Sequence, residues 1–312
     1  MKQRINELDF LKGVLIILMI SFHLVYFSEL HPYAKQVVYT FHMPGFLIMS
    51  GFLMNVSKPW KAVLLSMLSY AVPYAIMESG YIAMASVLPI REHIDHLTVP
   101  VFLDRLLLHP IGPYWYLQTL IICGLLYALV SRLPRLTTVT RLLMLGIAFY
   151  ILADCLSIMA FGCTMYFLAG VALKHSNIPF TNVFQPSALS IAAFTLLAMH
   201  PCNLKMQTAG GALMVWLIIS SLLFIYKYTS GKARATLLYL GRNSMPLFLF
   251  SPIFTFLCKP LVPYLRFDTT GLIFLFLSLI ICISGSLCVD WIMRRTGLSQ
   301  YTFKIEVQQK TV

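Results

Sequence analysis

The sequence predicts an all-α integral membrane protein of about ten transmembrane helices with both termini cytoplasmic. Three observations carry that reading. Of 312 residues, 59% are hydrophobic and only 11% are Asp, Glu, Lys or Arg, against about 25% charged in an ordinary soluble domain. Mean hydropathy is +0.81. Apolar runs of bilayer-crossing length, about 20 residues, recur along the chain with basic residues in the gaps. So few ionic groups cannot coat a chain of this length in water, which excludes a soluble globular enzyme and also a disordered chain.

The first run covers 10–28. Its basic start, MKQR, suits a signal peptide, but Tyr26, Phe27, Ser28 and Glu29 follow with no small-x-small cleavage site, so a retained helix is expected. Further runs lie at 36–55, 61–88, 112–130, 140–155, 158–173, 187–201, 207–226, 242–261 and 271–291. The third holds Pro73 and is expected to kink or tilt. The fifth, sixth and seventh are short. Segment 99–109 (VPVFLDRLLLH) is too short and polar to cross and reads as an interfacial helix. With the N-terminus inside, only Lys35, Arg91, Arg105, Lys205, Lys259 and Arg266 of the 23 Lys and Arg fall outside, the positive-inside pattern. That threading absorbs the net charge of +12, so the excess base does not argue for nucleic acid, for which no modular motif is present. The seven Cys are odd in number and form no CxxC pair, so they read as small buried hydrophobes. A single domain over 1–312 in the plasma (inner) membrane is expected, with no metal site.

Ionisable groups inside spans need a reason. Lys12 and His23 are eleven residues apart, about three turns, so they share one stripe of one helix about 16 Å apart along its axis. Asp9, one turn before Lys12, is placed to pair with it. His42 lies in the second span at about the depth of His23. Two imidazoles at one level can handle a proton, or His42 can simply bond between helices. Glu78, in YAIMESGY, either orients an imidazole, lines a wet cavity, or snorkels to the interface. FHMPGFLIMSGFL (41–53) offers small residues for close helix packing. GPYWYLQTL (112–120) carries Trp115 and Tyr116, which suit an aromatic belt, and Gln118, a candidate for substrate hydroxyls. LGRNSMPLFLFSP (240–252) brings Arg242 and Asn243 to the inner face, with Pro246 placed to kink or unwind the helix start.

ELDFLKG, with Lys12 and His23 bracketing ten residues, resembles the Lys/Arg-x10-His motif of the transmembrane acyltransferase 3 family. FHMPGFLIMSGFL is similar to the second-span segment of its fucose 4-O-acetylase-like and polysaccharide O-acetyltransferase members. YWYL and LGRNS match in kind and order. One position departs: Ser251 stands where related members commonly have His.

The resemblance implies transfer of an acyl group, most simply acetyl, from cytoplasmic acyl-CoA to a hydroxyl of a sugar or of a lipid-linked or polymerised glycan. Acyl-CoA is then a donor substrate, not a permanently bound cofactor. Arg4, Lys12 and Arg242 would receive its phosphates. His23 would act as general base or become acylated, with Asp9 holding Lys12. His42 and Glu78 would orient the base or bind acceptor hydroxyls, and Trp115, Tyr116, Gln118 and Asn243 would contact substrate. These residues do not decide between monomer and dimer. A proton-coupled transporter or flippase of a glycan or small metabolite would also hold intramembrane His and Glu, but neither paired broken helices nor two-half symmetry is visible.

Overall fold

Where apolar side chains serve lipid and core alike, the polar atoms and the glycines decide where helices stop and touch. The computed structural model describes residues 4–88 and 92–299. Arg91, the MKQ start and the C-terminal tail, which the charge argument uses, lie outside those residues.

Every regular element among the described residues is helical. In chain order they are α1 (Asn6–His23), α2 (Val25–Leu30), α3 (Pro32–Leu53), α4 (Trp60–Val87), α5 (Val99–Leu107), α6 (Trp115–Ser131), α7 (Thr138–Tyr150) and α8 (Phe161–His175). There follow α9 (Phe180–Val183), α10 (Ala188–Ala198), α11 (Ala209–Tyr228), α12 (Gly231–Arg242), α13 (Ser244–Leu257), α14 (Val262–Leu265) and α15 (Leu272–Arg295).

Each of the ten expected runs holds a helix. Six stretches are long and apolar enough to cross a bilayer: Trp60–Val87, Gly112–Ser131, Thr138–Cys155, Ala209–Tyr228, Ser244–Leu265 and Leu272–Arg295. The others fall short for visible reasons. Helix α1 carries Glu7, Asp9 and Lys12, α3 is diluted by Lys35, Gln36 and His42, and α8 has 15 residues. With 11 residues, α10 reaches about 16 Å of a hydrocarbon core about 30 Å thick. Segment 99–109 forms α5 as expected, capped by Thr98 and without a buried residue.

Two expected spans are broken. The run 10–28 is not one helix, because Leu24 takes an extended backbone (ψ 101) between α1 and α2. No Gly or Pro marks the break. Leu24 is buried at 1% exposure, and α2 is held by the turn before α15: His31 Nε2 bonds the Thr270 carbonyl at 2.8 Å. A Cβ on Gly271 (φ +68) would meet Leu30. That turn is organised by Asp268, whose carboxylate accepts from the Ile273 and Thr270 N–H groups and the Thr270 hydroxyl. These bonds, the Ile273 N–H first, hold the exposed Asp268 carboxyl below its ordinary pKa, so their contribution is present above the ordinary value and is lost as pH falls through the lowered one. The run 242–261 is broken near its start at Asn243, between α12 and α13. Pro246 sits in the first turn of α13, where its missing N–H costs nothing.

Contacts divide the chain into two units. The first comprises residues up to Met49 with Ser176–Trp291, and the second Ser50–His175 with the segment from Ile292. In the first, α1 and α12 approach until backbone meets backbone. A Cβ on Gly13 would collide with the Leu237 carbonyl oxygen, and one on Gly241 with that of Asp9. Helix α15 is inverted relative to a soluble helix. Ser278, Cys282, Ser286 and Asp290 recur every fourth residue and are buried, while Leu272, Phe276, Ile280 and Trp291 are exposed. Polar-in and apolar-out is the pattern of a lipid-facing helix. In the second unit, Arg132 stacks on Trp60 and donates to the Lys58 carbonyl at 2.7 Å, and Lys174 donates to the Met54 carbonyl. Basic residues that the charge count assigns to one side therefore share one end of that unit.

The α1–α12 crossing has a direct test. Gly241→Ala must push a carbonyl aside and is expected to destabilise the protein by about 1–3 kcal/mol, read as a lower melting temperature in detergent. Gly80→Ala, with open space around it, should leave the melt unchanged or slightly raised.

Candidate active site

In the first unit the crossing delivers Arg242 to Asp9. The Asp9 side chain, 7% exposed, lies in the first turn of α1, where a negative charge suits the helix dipole. Arg4 Nε donates to its Oδ2 at 2.5 Å and Arg4 Nη2 to Oδ1 at 3.4 Å. Arg242 Nε donates to the same Oδ2 at 3.4 Å, and its Nη2 to Asn6 Oδ1 at 3.2 Å. The expected Asp9–Lys12 pair is therefore not the one formed. Two guanidiniums take the carboxylate, because their planar forks can share its oxygens. Half-buried Lys12 keeps an electrostatic attraction to Asp9 and a repulsion from Arg4. Three cations around one carboxylate leave this end of the unit positive.

Lys12 and His23 share the uninterrupted helix α1, and His23 is its last residue. His23 Nδ1 lies 2.7 Å from the Met19 carbonyl, and His42 Nδ1 lies 2.9 Å from that of Val38. A carbonyl only accepts, so Nδ1 carries the proton in both rings and Nε2 is the lone-pair nitrogen of the neutral imidazole. The structure brings the two rings together, with centroids 6.5 Å apart and edge to face. Tyr39 joins them at 5.9 Å from His23 and 5.1 Å from His42, and its hydroxyl donates to the Phe22 carbonyl at 3.1 Å. Lys35 Nζ stands 5.6 Å from the Tyr39 centroid and donates to Ser28 Oγ at 3.3 Å. Sequence reasoning missed Tyr39 and Lys35, although three-to-four-residue spacing through 35, 39 and 42 places all three on one face of α3.

In the second unit, Glu78 is fully buried. Its Oε1 accepts the Ile111 N–H at 2.7 Å, and its Oε2 has no hydrogen-bond partner among the described residues. The next N–H, of Gly112, goes to Glu92 at 2.5 Å. Gln118 Nε2 donates to the carbonyls of Leu107 and Leu108 at 2.8 and 3.1 Å, and Tyr74 to that of Leu106 at 2.7 Å. These groups fasten the segment leading into α6. Tyr116 shares a 2.8 Å hydrogen bond with Ser50, and half-buried Trp115 lies edge-on to it at 6.4 Å. In the first unit Asn243 Nδ2 donates to the Tyr239 carbonyl at 2.9 Å, closing the end of α12. Ser251 is buried at 1% exposure in α13. Among the described residues no group of His, Cys, Asp and Glu could hold a metal ion.

A family model for an acyltransferase domain matches residues 5–291, which takes in every candidate residue except Arg4. No curated protein and no solved structure matches the chain.

Two outcomes follow from this geometry. In histidine-labelled protein, nitrogen NMR should find His23 and His42 in the Nδ1–H tautomer; an Nε2–H signal for either contradicts the assignment. Asp9→Asn leaves Arg4 and Arg242 facing each other and should cost about 1–3 kcal/mol of stability, with part restored by adding Arg242→Gln, measured by thermal denaturation.

Proposed function

We propose, from the premise that this chain belongs to the acyltransferase 3 domain family, that it is a membrane-embedded O-acyltransferase. It moves an acyl group, most simply acetyl, from cytoplasmic acyl-CoA to a hydroxyl of a cell-envelope sugar or polysaccharide. The observation that carries this reading is the placement of the His23 Nε2 lone pair at one end of the helix whose other end gathers three cations, Lys12 on the helix itself about 16 Å away along the axis and Arg4 and Arg242 on Asp9. The cations suit the phosphates of the donor, and the rest of the donor is a long thin arm ending in a thioester.

At the far end of that arm, the acceptor oxygen attacks the thioester carbonyl while its proton passes to Nε2 of His23. A C–O bond forms, the C–S bond breaks, and the departing thiolate takes the proton from His23. The bond from Nδ1 to the Met19 carbonyl supports the imidazolium between those two transfers, as a fixed acceptor does for any catalytic histidine. His23 can instead accept the acyl group on the same nitrogen and pass it on. His42 and Tyr39 hold the imidazole's surroundings. We assign substrate contacts to Trp115, Tyr116, Gln118 and Asn243, with Glu78 in a supporting role through the segment it fastens. Family membership weighs against the transporter alternative.

The test uses purified wild type and His23→Ala with radiolabelled acetyl-CoA and a cell-envelope glycan extract. Wild type should label the glycan, with a mass increase of one acetyl per site, and His23→Ala should be slower by about 10²–10⁴-fold. Undiminished transfer by the variant removes His23 from the chemistry. Failure of the wild type to bind any acyl-CoA overturns the enzyme reading itself.

A further inference from the structure

One cavity of about 370 Å³ opens in the first unit, lined by Glu7, Asn182, Leu223, Tyr226, Lys227 and Arg234 among others. The acyl-transfer chemistry above uses none of these residues. The volume lies near the bottom of the range for small-molecule pockets, about 300–1,000 Å³, which suits a ligand of headgroup size.

The wall is assembled without a ligand. Glu7 comes from the first turn of α1, Asn182 from α9, Leu223, Tyr226 and Lys227 from α11, and Arg234 from α12. Arg234 is already engaged: its guanidinium stacks 4.0 Å from the Tyr226 ring centroid, and its Nη2 donates to the Tyr226 carbonyl at 3.4 Å. The Trp216 indole N–H donates to the Val183 carbonyl at 2.9 Å, and the Tyr226 ring packs on Phe10 at 5.2 Å. Helices α9 and α1 are thereby both fastened to α11.

Two charges on that wall are left unspent. Glu7 and Lys227 are of opposite sign and line the same cavity, yet neither has a hydrogen-bond or ion-pair partner among the described residues, each other included. An anion alone would suit Lys227 and be repelled by Glu7, and a cation alone would meet the reverse. A group that carries both signs satisfies both. Position says which zwitterion. Lys227 is the penultimate residue of the bilayer-length stretch Ala209–Tyr228, and Leu223 lies about one turn deeper on the same wall. The cavity therefore opens where a spanning helix reaches the membrane surface, at the level of lipid headgroups.

We propose that this cavity binds the headgroup of a zwitterionic aminophospholipid, with its phosphate on Lys227 and its primary ammonium on Glu7. An ethanolamine head meets both charges. A glycerol head brings no cation to Glu7, a choline head has no N–H to donate, and a serine head adds a carboxylate that Glu7 repels. Because Glu7 belongs to α1 and Lys227 to α11, the bound head bridges two helices that its absence leaves unbridged at this point. The proposal does not draw on the acyl-transfer reading and stands or falls apart from it.

The test follows lipid retention by the full chain in detergent, using native mass spectrometry. The probes are phosphatidylethanolamine, phosphatidylglycerol and phosphatidylcholine with the same acyl chains, and chain-free glycerophosphoethanolamine. Wild type should hold phosphatidylethanolamine about tenfold more tightly than the other two lipids. Lys227→Ala and Glu7→Gln should each weaken that binding about tenfold to a hundredfold, and Glu7→Gln should turn the preference toward phosphatidylglycerol. Without lipid, both variants should melt at the wild-type temperature, since neither side chain has a partner within the protein; a lower melt overturns the premise that these charges are unspent. Equal retention of all three lipids by wild type, or an unchanged preference in both variants, overturns the site. Glycerophosphoethanolamine bound as tightly as the lipid overturns the membrane source in favour of a soluble zwitterion.

Discussion

Asp9 can be shared by two arginines only because α1 and α12 touch at glycine. Gly13 and Gly241 each leave room for a backbone carbonyl of the opposite helix, and a single Cβ at either would separate the axes. That contact carries Arg242, the residue after Gly241, to a carboxylate far away in sequence. From there the remaining geometry follows. Arg242 and Arg4 occupy Asp9, so Lys12 stays outside the ion pair and adds to the positive end of α1. Because α1 runs unbroken to His23, Lys12 and the imidazole are held at a set separation by helix geometry and not by loops.

The other constraint is that buried polar atoms in an apolar surround must be partnered. Both imidazoles satisfy Nδ1 on a carbonyl four residues back, which resolves the tautomer without a neighbouring side chain. Glu78 and Gln118 do related work in the second unit, where their bonds to Ile111, Leu107 and Leu108 secure an otherwise irregular segment. Helix α15 instead turns serines, a cysteine and an aspartate inward every fourth residue and its large apolar side chains outward, with the Ser278 and Ser286 hydroxyls unpartnered among the described residues.

Much of the fold was legible in advance. Hydropathy marked each apolar run in which a helix forms, and it identified α5 as a separate short element. The break at Leu24 was not legible. No Gly or Pro stands there, and the interruption depends on a turn around Thr270 and Gly271 that is distant in sequence. The helical status of 231–242 was missed for a different reason: its mixed, basic composition carries no span signal, and its contact with α1 depends on small residues spread over two segments. Within the site, the stripe from Lys12 to His23 followed from helical period, whereas the partner of Asp9 did not. The nearest cation in sequence was Lys12, and proximity along one helix is a weaker guide than the fork geometry of an arginine from another.

The sequence by itself determined an all-helical membrane chain of the acyltransferase 3 domain family, with Lys12 and His23 in register on one helix. Those features depend on composition and on a period of 3.6 residues, both local properties. Only the tertiary structure decided which groups meet: Arg242 with Asp9, Tyr39 beside both histidines, and the cavity walled by Glu7, Tyr226 and Arg234. Such pairings join residues up to 233 positions apart. They are selected by how closely two backbones can approach and by which buried polar atom still lacks a partner, and neither quantity is written in any single segment.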